Sequence, residues 1–203
     1  ENSANPYTLT DDDRTVIGNT TPKFSGGFGL NATFKGFDVS AFFNFMYDFD
    51  VFNANKVMMT TWASNNYNNF SMDISAAKRW RNFDDMGNEI RYSPEILAEF
   101  NKNATMWNPT SIGRPIAMSY AVEDGSFLRL NTATIGYTLP RAWTNKVGLS
   151  RVRFYASGYN LFTITGYSGY DPEVDIATGL TPNIDNNRYP RSRTYTFGVQ
   201  LTF

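Results

Sequence analysis

The side chains that most often carry catalysis are missing from this sequence, which has no histidine and no cysteine among its 203 residues. Without imidazole the chain lacks the commonest general base and the commonest zinc ligand, and without thiols it has no cysteine nucleophile or thiolate ligand. Carboxylates remain, and Asp171, Glu173 and Asp175 lie close together. No partner acid stands at a spacing that defines a glycosidase pair. The sequence therefore predicts no enzyme, no catalytic residue, no cofactor and no metal site.

Asp11, Asp12 and Asp13 form a run of adjacent carboxylates, and Ca²⁺ is bound by oxygen ligands of this kind. The run lacks the alternating spacing of a Ca²⁺-binding loop, so a solvated loop is the simpler interpretation. The net charge is -1, from 18 basic and 19 acidic residues, and offers no field to attract nucleic acid. No stretch approaches the roughly 18 apolar residues of a membrane helix.

The framework of the chain is predicted to be five β-strands. In each of five segments, apolar residues alternate with polar ones, as in strands with one apolar face. The clearest alternation runs from Arg193 to Phe203, the length of a strand that crosses lipid. The aromatic fraction of 16% suits lipid-facing strands and the aromatic girdles of a barrel. The predicted strands span residues 24–35, 37–49, 126–139, 151–163 and 193–203.

One of these strands changes parity. Leu128 and Leu130 occupy even positions, whereas Ile135 and Tyr137 occupy odd ones, so the sequence predicts a β-bulge near residues 131–134.

Two helices are also predicted between the strands. Ser93-Pro94-Glu95 reads as an N-cap followed by proline in the first turn of an amphipathic helix. A second helix is predicted from Asp73 to Trp80.

The connections between the strands alternate in length. The turns at Lys35-Gly36 and at 140–150 are short, whereas the segments 50–124 and 164–192 are long. Bacterial outer-membrane barrels have short periplasmic turns and long extracellular loops, so this alternation favours an antiparallel transmembrane barrel segment. Two alternatives stay open, a soluble β-sandwich that binds carbohydrate and an outer-membrane enzyme.

Several stretches resemble the C-terminal end of the SusC/RagA-type TonB-linked outer-membrane transporters, in the order in which that family has them. The resemblance is thinnest between residues 50 and 124. The stretches are Asp13-Arg14-Thr15-Val16-Ile17-Gly18-Asn19, Pro22-Lys23-Phe24, Gly36-Phe37-Asp38-Val39-Ser40, Asp124-Gly125-Ser126-Phe127-Leu128-Arg129-Leu130, Leu139-Pro140, Asn160-Leu161-Phe162-Thr163, Gly169-Tyr170-Asp171-Pro172-Glu173-Val174, Tyr189-Pro190-Arg191 and Arg193-Thr194-Tyr195-Thr196-Phe197-Gly198.

This resemblance implies an all-β fold, in which the five strands are the last five of a plugged barrel of about 22 strands. Residues 1–22, 50–124 and 164–192 would then be extracellular, and the chain would lie in a bacterial outer membrane. Five strands cannot close a barrel, because bacterial barrels begin at about eight. We therefore expect a portion of a larger barrel whose final strand is left with an unpaired edge. The alternating face of that strand would be the barrel-assembly signal, made of Tyr195, Phe197, Val199, Leu201 and Phe203.

The same resemblance implies the partners. They are the remainder of the barrel and its plug, outer-membrane lipid, a SusD-like lipoprotein, and the TonB complex, which would be reached through an N-terminal part outside these residues. The family imports nutrients, commonly oligosaccharides or peptides, through loops whose aromatic side chains stack on the ligand. The alternative for each aromatic residue is that it only packs its loop. The candidates are Trp62, Tyr67, Phe70, Trp80, Trp107, Tyr167 and Tyr170.

Overall fold

The computed structural model describes residues 14–62, 69–110, 117–173 and 182–203. The acidic run Asp11 to Asp13 lies outside these residues. The chain divides into two compact units. The first unit holds residues 1–51, 122–183 and 189–203, and the second holds residues 52–121 and 184–188.

The first unit is built on a five-stranded antiparallel sheet, ordered β1-β2-β5-β6-β8. Each strand begins and ends within two residues of the bounds that the alternation predicts. The strands are β1 (Phe24–Phe34), β2 (Phe37–Tyr47), β5 (Phe127–Thr138), β6 (Arg151–Thr165) and β8 (Thr194–Thr202). They are 9 to 15 residues long, which is enough for tilted strands to cross the hydrocarbon core of a bilayer.

The register gathers most large apolar residues of the five strands on one face of the sheet, whereas Phe42, Met46 and Phe127 lie on the other. Residues directly opposite each other in a ladder point to the same side. One such row runs from Val39 through Ile135 to Ala156 and ends at Phe197. The opposite face carries Asp38, Ser40, Thr134, Arg153 and other polar side chains. The two-residue alternation is therefore a property of the whole sheet.

The change of parity in β5 has the predicted cause. The ladder with β2 passes from Thr132 opposite Phe42 directly to Leu130 opposite Phe43, so Asn131 is an extra residue in β5. The ladder with β6 shifts at the same place. This bulge returns Leu128 and Leu130 to the apolar face, and the prediction is confirmed.

The hairpin between β1 and β2 closes through Lys35 and Gly36, both with positive φ, at 47° and 89°. Two positive φ angles define the turn whose twist matches that of the flanking strands. A Cβ on Gly36 would lie 2.8 Å from the carbonyl oxygen of Thr138. The predicted tight turn is confirmed, and it requires glycine at its second position.

The other short connection contains a four-residue helix, α3 (Arg141–Thr144), and a 3₁₀ turn (Asn145–Val147). It ends at Gly148 in the left-handed region.

Both edges of the sheet are open within the described residues, because β1 pairs only with β2 and β8 only with β6. The final strand therefore has one edge without a partner strand within the described residues. The apolar face is also uncovered: Leu30 is 60% exposed, Ile135 52% and Phe197 80%. In a soluble sandwich these side chains would form the core between two sheets, so the exposed face argues against that alternative.

A small core lies at one end of the first unit. It consists of Phe49, Val51, Phe127 and Tyr167, with Met46 packed against it. Phe49 and Phe127 meet edge to face at 6.4 Å between ring centroids. The short strand β4 (Val122–Asp124) leads into β5 beside this core, where the N–H of Gly125 donates to the carbonyl of Phe49 at 2.8 Å. The core anchors the sheet where its long connections begin.

The second unit contains short elements joined by irregular segments. Strand β3 (Asp50–Asn53) crosses the boundary between the units, and its end pairs in parallel with β7 (Ile184–Asp185). Helix α1 (Ala54–Thr60) is capped by the Asn53 side chain, which accepts from the N–H of Lys56 at 3.3 Å.

Helix α2 (Pro94–Asn101) confirms the helix predicted after Ser93, with proline in its first turn. The helix predicted from Asp73 to Trp80 is wrong: a single 3₁₀ turn (Met72–Ile74) lies there, capped by the Ser71 hydroxyl. The chain then turns at Ser75, whose carbonyl accepts from the N–H groups of Lys78 and Arg79. Among the residues that the structure describes, no helix is both long and apolar enough to cross a membrane.

Candidate functional site

A groove in the second unit is formed around Trp80, one of the aromatic residues predicted to contact a ligand. Its volume is about 440 Å³, and its walls come from residues within 76–85 and 108–110. The N–H of Trp80 donates to the carbonyl of Met106 at 2.7 Å, and Arg79 forms a parallel bridge with Met106. The backbone that carries Trp80 is thus fixed, while the residue remains 40% exposed and available to a ligand.

Most charged groups of this groove already have partners. Arg81 donates to Asp85 at 2.6 Å and lies over the ring of Phe100. The Asp84 carboxylate accepts from the side-chain amide of Asn88 at 2.9 Å and from two backbone N–H groups. These bonds, led by the one from the Asn88 side chain, lower the pKa of Asp84. Asp84 therefore serves as the centre of a turn.

The remaining polar groups of the groove are a guanidinium and amides. Within the described residues, no carboxylate forms an ion pair with Arg79. Asn82 and Asn108 also line the groove. The side-chain oxygen of Asn108 accepts from the N–H and hydroxyl of Thr110, which leaves the NH₂ group of Asn108 as a donor. The groove thus offers an aromatic ring, a guanidinium and amide groups.

The other described candidates of the second unit are engaged in contacts with neighbouring rings. Trp62 and Phe70 pack together with ring centroids 5.8 Å apart and are 44% and 38% exposed. Trp107 meets Tyr120 edge to face at 5.2 Å, and its indole N–H donates to the carbonyl of Thr60 at 3.0 Å. Both polar and apolar parts of Trp107 are used within the loop. Tyr67 lies outside the described residues.

The two candidates of the first unit differ from each other. Tyr167 is 6% exposed and belongs to the small core, so its ring packs against protein. Tyr170 is 84% exposed and leaves its whole ring accessible. Asp175, in the same long connection, lies outside the described residues.

A second polar site in the second unit is centred on Asp73. Its carboxylate accepts from the hydroxyls of Ser71 at 3.0 Å and Tyr120 at 3.1 Å, and Lys78 lies 3.6 Å away. These interactions, with the Ser71 bond the largest, lower the pKa of Asp73. The network fixes the 3₁₀ turn, and a cavity of about 370 Å³ lies beside it. Nowhere in the described ranges do three or more acidic groups form a set that could hold a metal ion.

Sequence reasoning missed a buried ion cluster on the polar face of the sheet. Arg129 in β5 donates to Asp171 and lies 3.3 Å from Glu173. Arg191 reaches the other oxygen of Glu173 at 2.9 Å. The side chains of Arg129, Asp171 and Glu173 are only 3%, 7% and 11% exposed. The cluster ties both ends of the long connection between β6 and β8 to β5. The sequence indicated only that Arg129 lies on the polar face, because it occupies a polar position in the alternation of β5.

A second ion pair crosses three strands of the same face. Arg153 in β6 donates to both carboxylate oxygens of Asp38 in β2, at 2.9 Å from Nε. The strand between them, β5, contributes Gly136 at the crossing point, where a Cβ would lie 2.5 Å from the guanidinium. The glycine therefore makes room for the arginine.

In the described residues, the antiparallel sheet of the first unit has an exposed apolar face, a polar face spanned by ion pairs and two open edges, features that resemble a segment of barrel wall. Comparisons with known proteins agree with this class. No family model matches the chain. The "TonB-dependent receptor P3" of Formosa agariphila is 32% identical over 197 residues, which cover 94% of this chain and 17% of that protein.

"TonB-dependent receptor SusC" of Bacteroides thetaiotaomicron is 32% identical over 164 residues, covering 74% of this chain and 15% of SusC. Among solved structures, the RagAB peptide importer in its closed-closed state matches with a TM-score of 0.72 and 25% identity. That match covers 97% of this chain and 19% of the importer chain. The chain thus spans less than a fifth of the length of these relatives. Along 94% of its length the chain is therefore homologous to TonB-dependent receptors, SusC among its relatives, and it matches part of the RagAB importer, as its sequence motifs suggested.

Proposed function

We propose that this chain is the C-terminal wall of a TonB-dependent outer-membrane importer that takes up nutrients. The similarity to TonB-dependent receptors along 94% of the chain is the observation that carries the proposal. The exposed apolar face supports it, because Phe197 and Leu30 would face lipid and the polar face would line the lumen. The open edges of β1 and β8 would pair with further strands, since unpaired backbone groups are costly in lipid.

The lengths of the strand connections support an orientation in the outer membrane. In this proposal the Lys35-Gly36 turn and the 139–150 connection face the periplasm, and the second unit lies outside the cell. The groove around Trp80 would then face the medium, where a nutrient arrives. A SusD-like lipoprotein would cover this side, as the resemblance to SusC/RagA-type transporters implies. The contact with TonB would belong to parts of the receptor outside these 203 residues.

Cysteine labelling tests the orientation, because this chain contributes no cysteine of its own. Met86 in the second unit is 90% exposed, and Val147 in the 139–150 connection is 71% exposed. Met86→Cys and Val147→Cys are introduced separately into the complete receptor, and intact cells are treated with a maleimide that cannot cross the outer membrane. We expect labelling of Met86→Cys only. Val147→Cys should be labelled after the outer membrane is permeabilised, and equal labelling of both in intact cells would refute the orientation.

Import itself is tested in cells that lack the gene. Uptake of fluorescently tagged neutral oligosaccharides, acidic oligosaccharides and oligopeptides is measured in the wild type, the deletion strain and a strain without TonB. We expect the deletion and the loss of TonB to abolish uptake of the same class of compound. If the deletion strain takes up every class at the wild-type rate, the importer assignment fails.

A further inference from the structure

The groove around Trp80 has a charge pattern that points to a class of ligand. Two carboxylates of the groove already have partners: Asp85 forms an ion pair with Arg81, and Asp84 accepts a hydrogen bond from the side-chain amide of Asn88. Arg79 has no carboxylate partner in the described part of the chain, although it lines the groove. A guanidinium presents a planar fork that matches carboxylate, sulfate or phosphate oxygens through two parallel hydrogen bonds. Although Asp84 and Asp85 also line the groove, both are engaged by other groups, so Arg79 is the charged group there that an anionic ligand would contact.

The neighbours of Arg79 specify what accompanies the anion. Trp80 adjoins it in the chain and supplies a flat apolar surface that is 40% exposed. Asn108 offers its NH₂ donor, and Asn82 contributes a second amide. A pocket with one aromatic surface and a few convergent polar groups orients a ring-shaped ligand that carries hydroxyl groups. Sugars combine a flat carbon face with hydroxyls in this way.

We propose that the groove binds acidic oligosaccharides, with Arg79 holding a uronate carboxylate or a sulfate ester and Trp80 stacking on a sugar ring. The inference rests on the proposed importer function and names the substrate class for it. A volume of about 440 Å³ accommodates one or two sugar rings of a longer chain, within the range of small-molecule sites. Arg79 is a specificity residue in this arrangement, because neutral sugars would use only Trp80 and the amides.

The test uses the complete receptor, purified in detergent, and isothermal titration calorimetry. The probes are a panel of uronate and sulfated oligosaccharides, each with a neutral counterpart of the same length made by methyl esterification or desulfation. An acidic peptide, tetraglutamate, is titrated as well. We expect the wild type to bind at least one acidic oligosaccharide tenfold or more tightly than its neutral counterpart, and to ignore the peptide. The charge that is preferred, carboxylate or sulfate, identifies the source of the anion.

Two substitutions separate the roles. Arg79→Gln should weaken binding of the acidic probe about tenfold to a hundredfold, as expected for loss of a charged hydrogen-bonding group, and leave the neutral probe unchanged. Trp80→Ala should weaken both probes. Arg91→Gln is the matched control, because Arg91 is paired with Glu89 in the same unit and does not line the groove; it should change neither. Circular dichroism confirms that each variant is folded.

Four results would overturn the inference. They are equal binding of acidic and neutral probes by the wild type, an Arg79→Gln variant with wild-type affinity, preference for tetraglutamate, and failure to bind any acidic oligosaccharide. Uptake assays distinguish this failure from failure of the importer function. If deletion of the gene abolishes uptake of a neutral oligosaccharide or a peptide, the receptor is an importer and the acidic-ligand inference alone is wrong.

Discussion

The buried ion cluster makes the strongest prediction about stability. Replacement of Arg129 by methionine keeps most of the side-chain volume but leaves Asp171 and Glu173 as buried carboxylates without their central cation. Removal of one partner of a buried ion pair costs about 3–5 kcal/mol. Here part of the charge stays compensated, because Arg191 remains 2.9 Å from Glu173. Asp171 also keeps the backbone N–H groups of Glu173 and Arg191, at 3.0 and 3.3 Å.

We therefore expect Arg129→Met to lower the free energy of unfolding by about 3 kcal/mol, the low end of the range for a broken buried pair. Arg191→Gln is the matched comparison within the same cluster. The Arg191 side chain is 47% exposed, so its loss should cost only about 1 kcal/mol. Without Arg129, the Asp171 carboxylate is a buried charge without its ion-pair partner, so replacing it by a neutral amide should recover part of the lost stability. The double variant Arg129→Met, Asp171→Asn should therefore be more stable than Arg129→Met alone.

The measurement is urea unfolding of the complete receptor in detergent, followed by tryptophan fluorescence. Limited proteolysis provides a local readout, because the cluster fixes both ends of the connection between β6 and β8. Cleavage between residues 166 and 193 should be faster in Arg129→Met than in Arg191→Gln. The reasoning fails if the two single variants lose the same stability, or if adding Asp171→Asn makes Arg129→Met less stable.

Two further predictions concern single contacts. Gly136→Ala should displace Arg153 from Asp38 and destabilise the receptor by about 1–2 kcal/mol. Gly29→Ala is the control, because its new Cβ would meet nothing closer than 3.8 Å. Equal urea midpoints for the two variants would contradict the prediction. The pKa of Asp73 is lowered on folding, so its contribution is complete above pH of about 4 and is lost as the pH falls through the folded pKa. Asp73→Asn should make the second unit less resistant to proteolysis than the wild type at pH 7. At pH 3 the variant and the wild type should differ less in proteolytic resistance. A difference of the same size at pH 7 and pH 3 would contradict this prediction.

Local features of this fold could be predicted because they depend on neighbours in the chain. The strands follow from two-residue alternation, and the parity change between Leu130 and Ile135 was sufficient to predict a bulge within residues 131–134, which the structure has at Asn131. The helix after Ser93 was signalled by its proline. The helix predicted from Asp73 to Trp80 was wrong. The Ser71 hydroxyl caps a single 3₁₀ turn there, and the hydrogen bond from the Tyr120 hydroxyl to Asp73 stabilises that turn.

The candidate site was only partly predictable, since its partners are distant in sequence. Trp80 could be proposed from residue type. That Arg79 has no carboxylate partner among the described residues became apparent only once Asp84 and Asp85 had been assigned to other groups. Tyr167 and Tyr170 stand three residues apart with the same side chain, yet one is in the core and the other is exposed. Residue type alone does not distinguish them.

The two faces of the sheet carry different kinds of information. On the apolar face, any large apolar side chain at the right parity suits lipid, so alternation describes that face almost completely. On the polar face, Arg153 and Asp38 are 115 residues apart in sequence and lie on strands separated by β5. They meet only if β5 presents Gly136 between them. A shift of two residues in β5 would keep its apolar set on the apolar face but would place Thr134 or Thr138 at the crossing point. Gly136 and the Arg153–Asp38 ion pair therefore specify the register of the three strands β2, β5 and β6 together. The alternation of the apolar face alone would leave this register open.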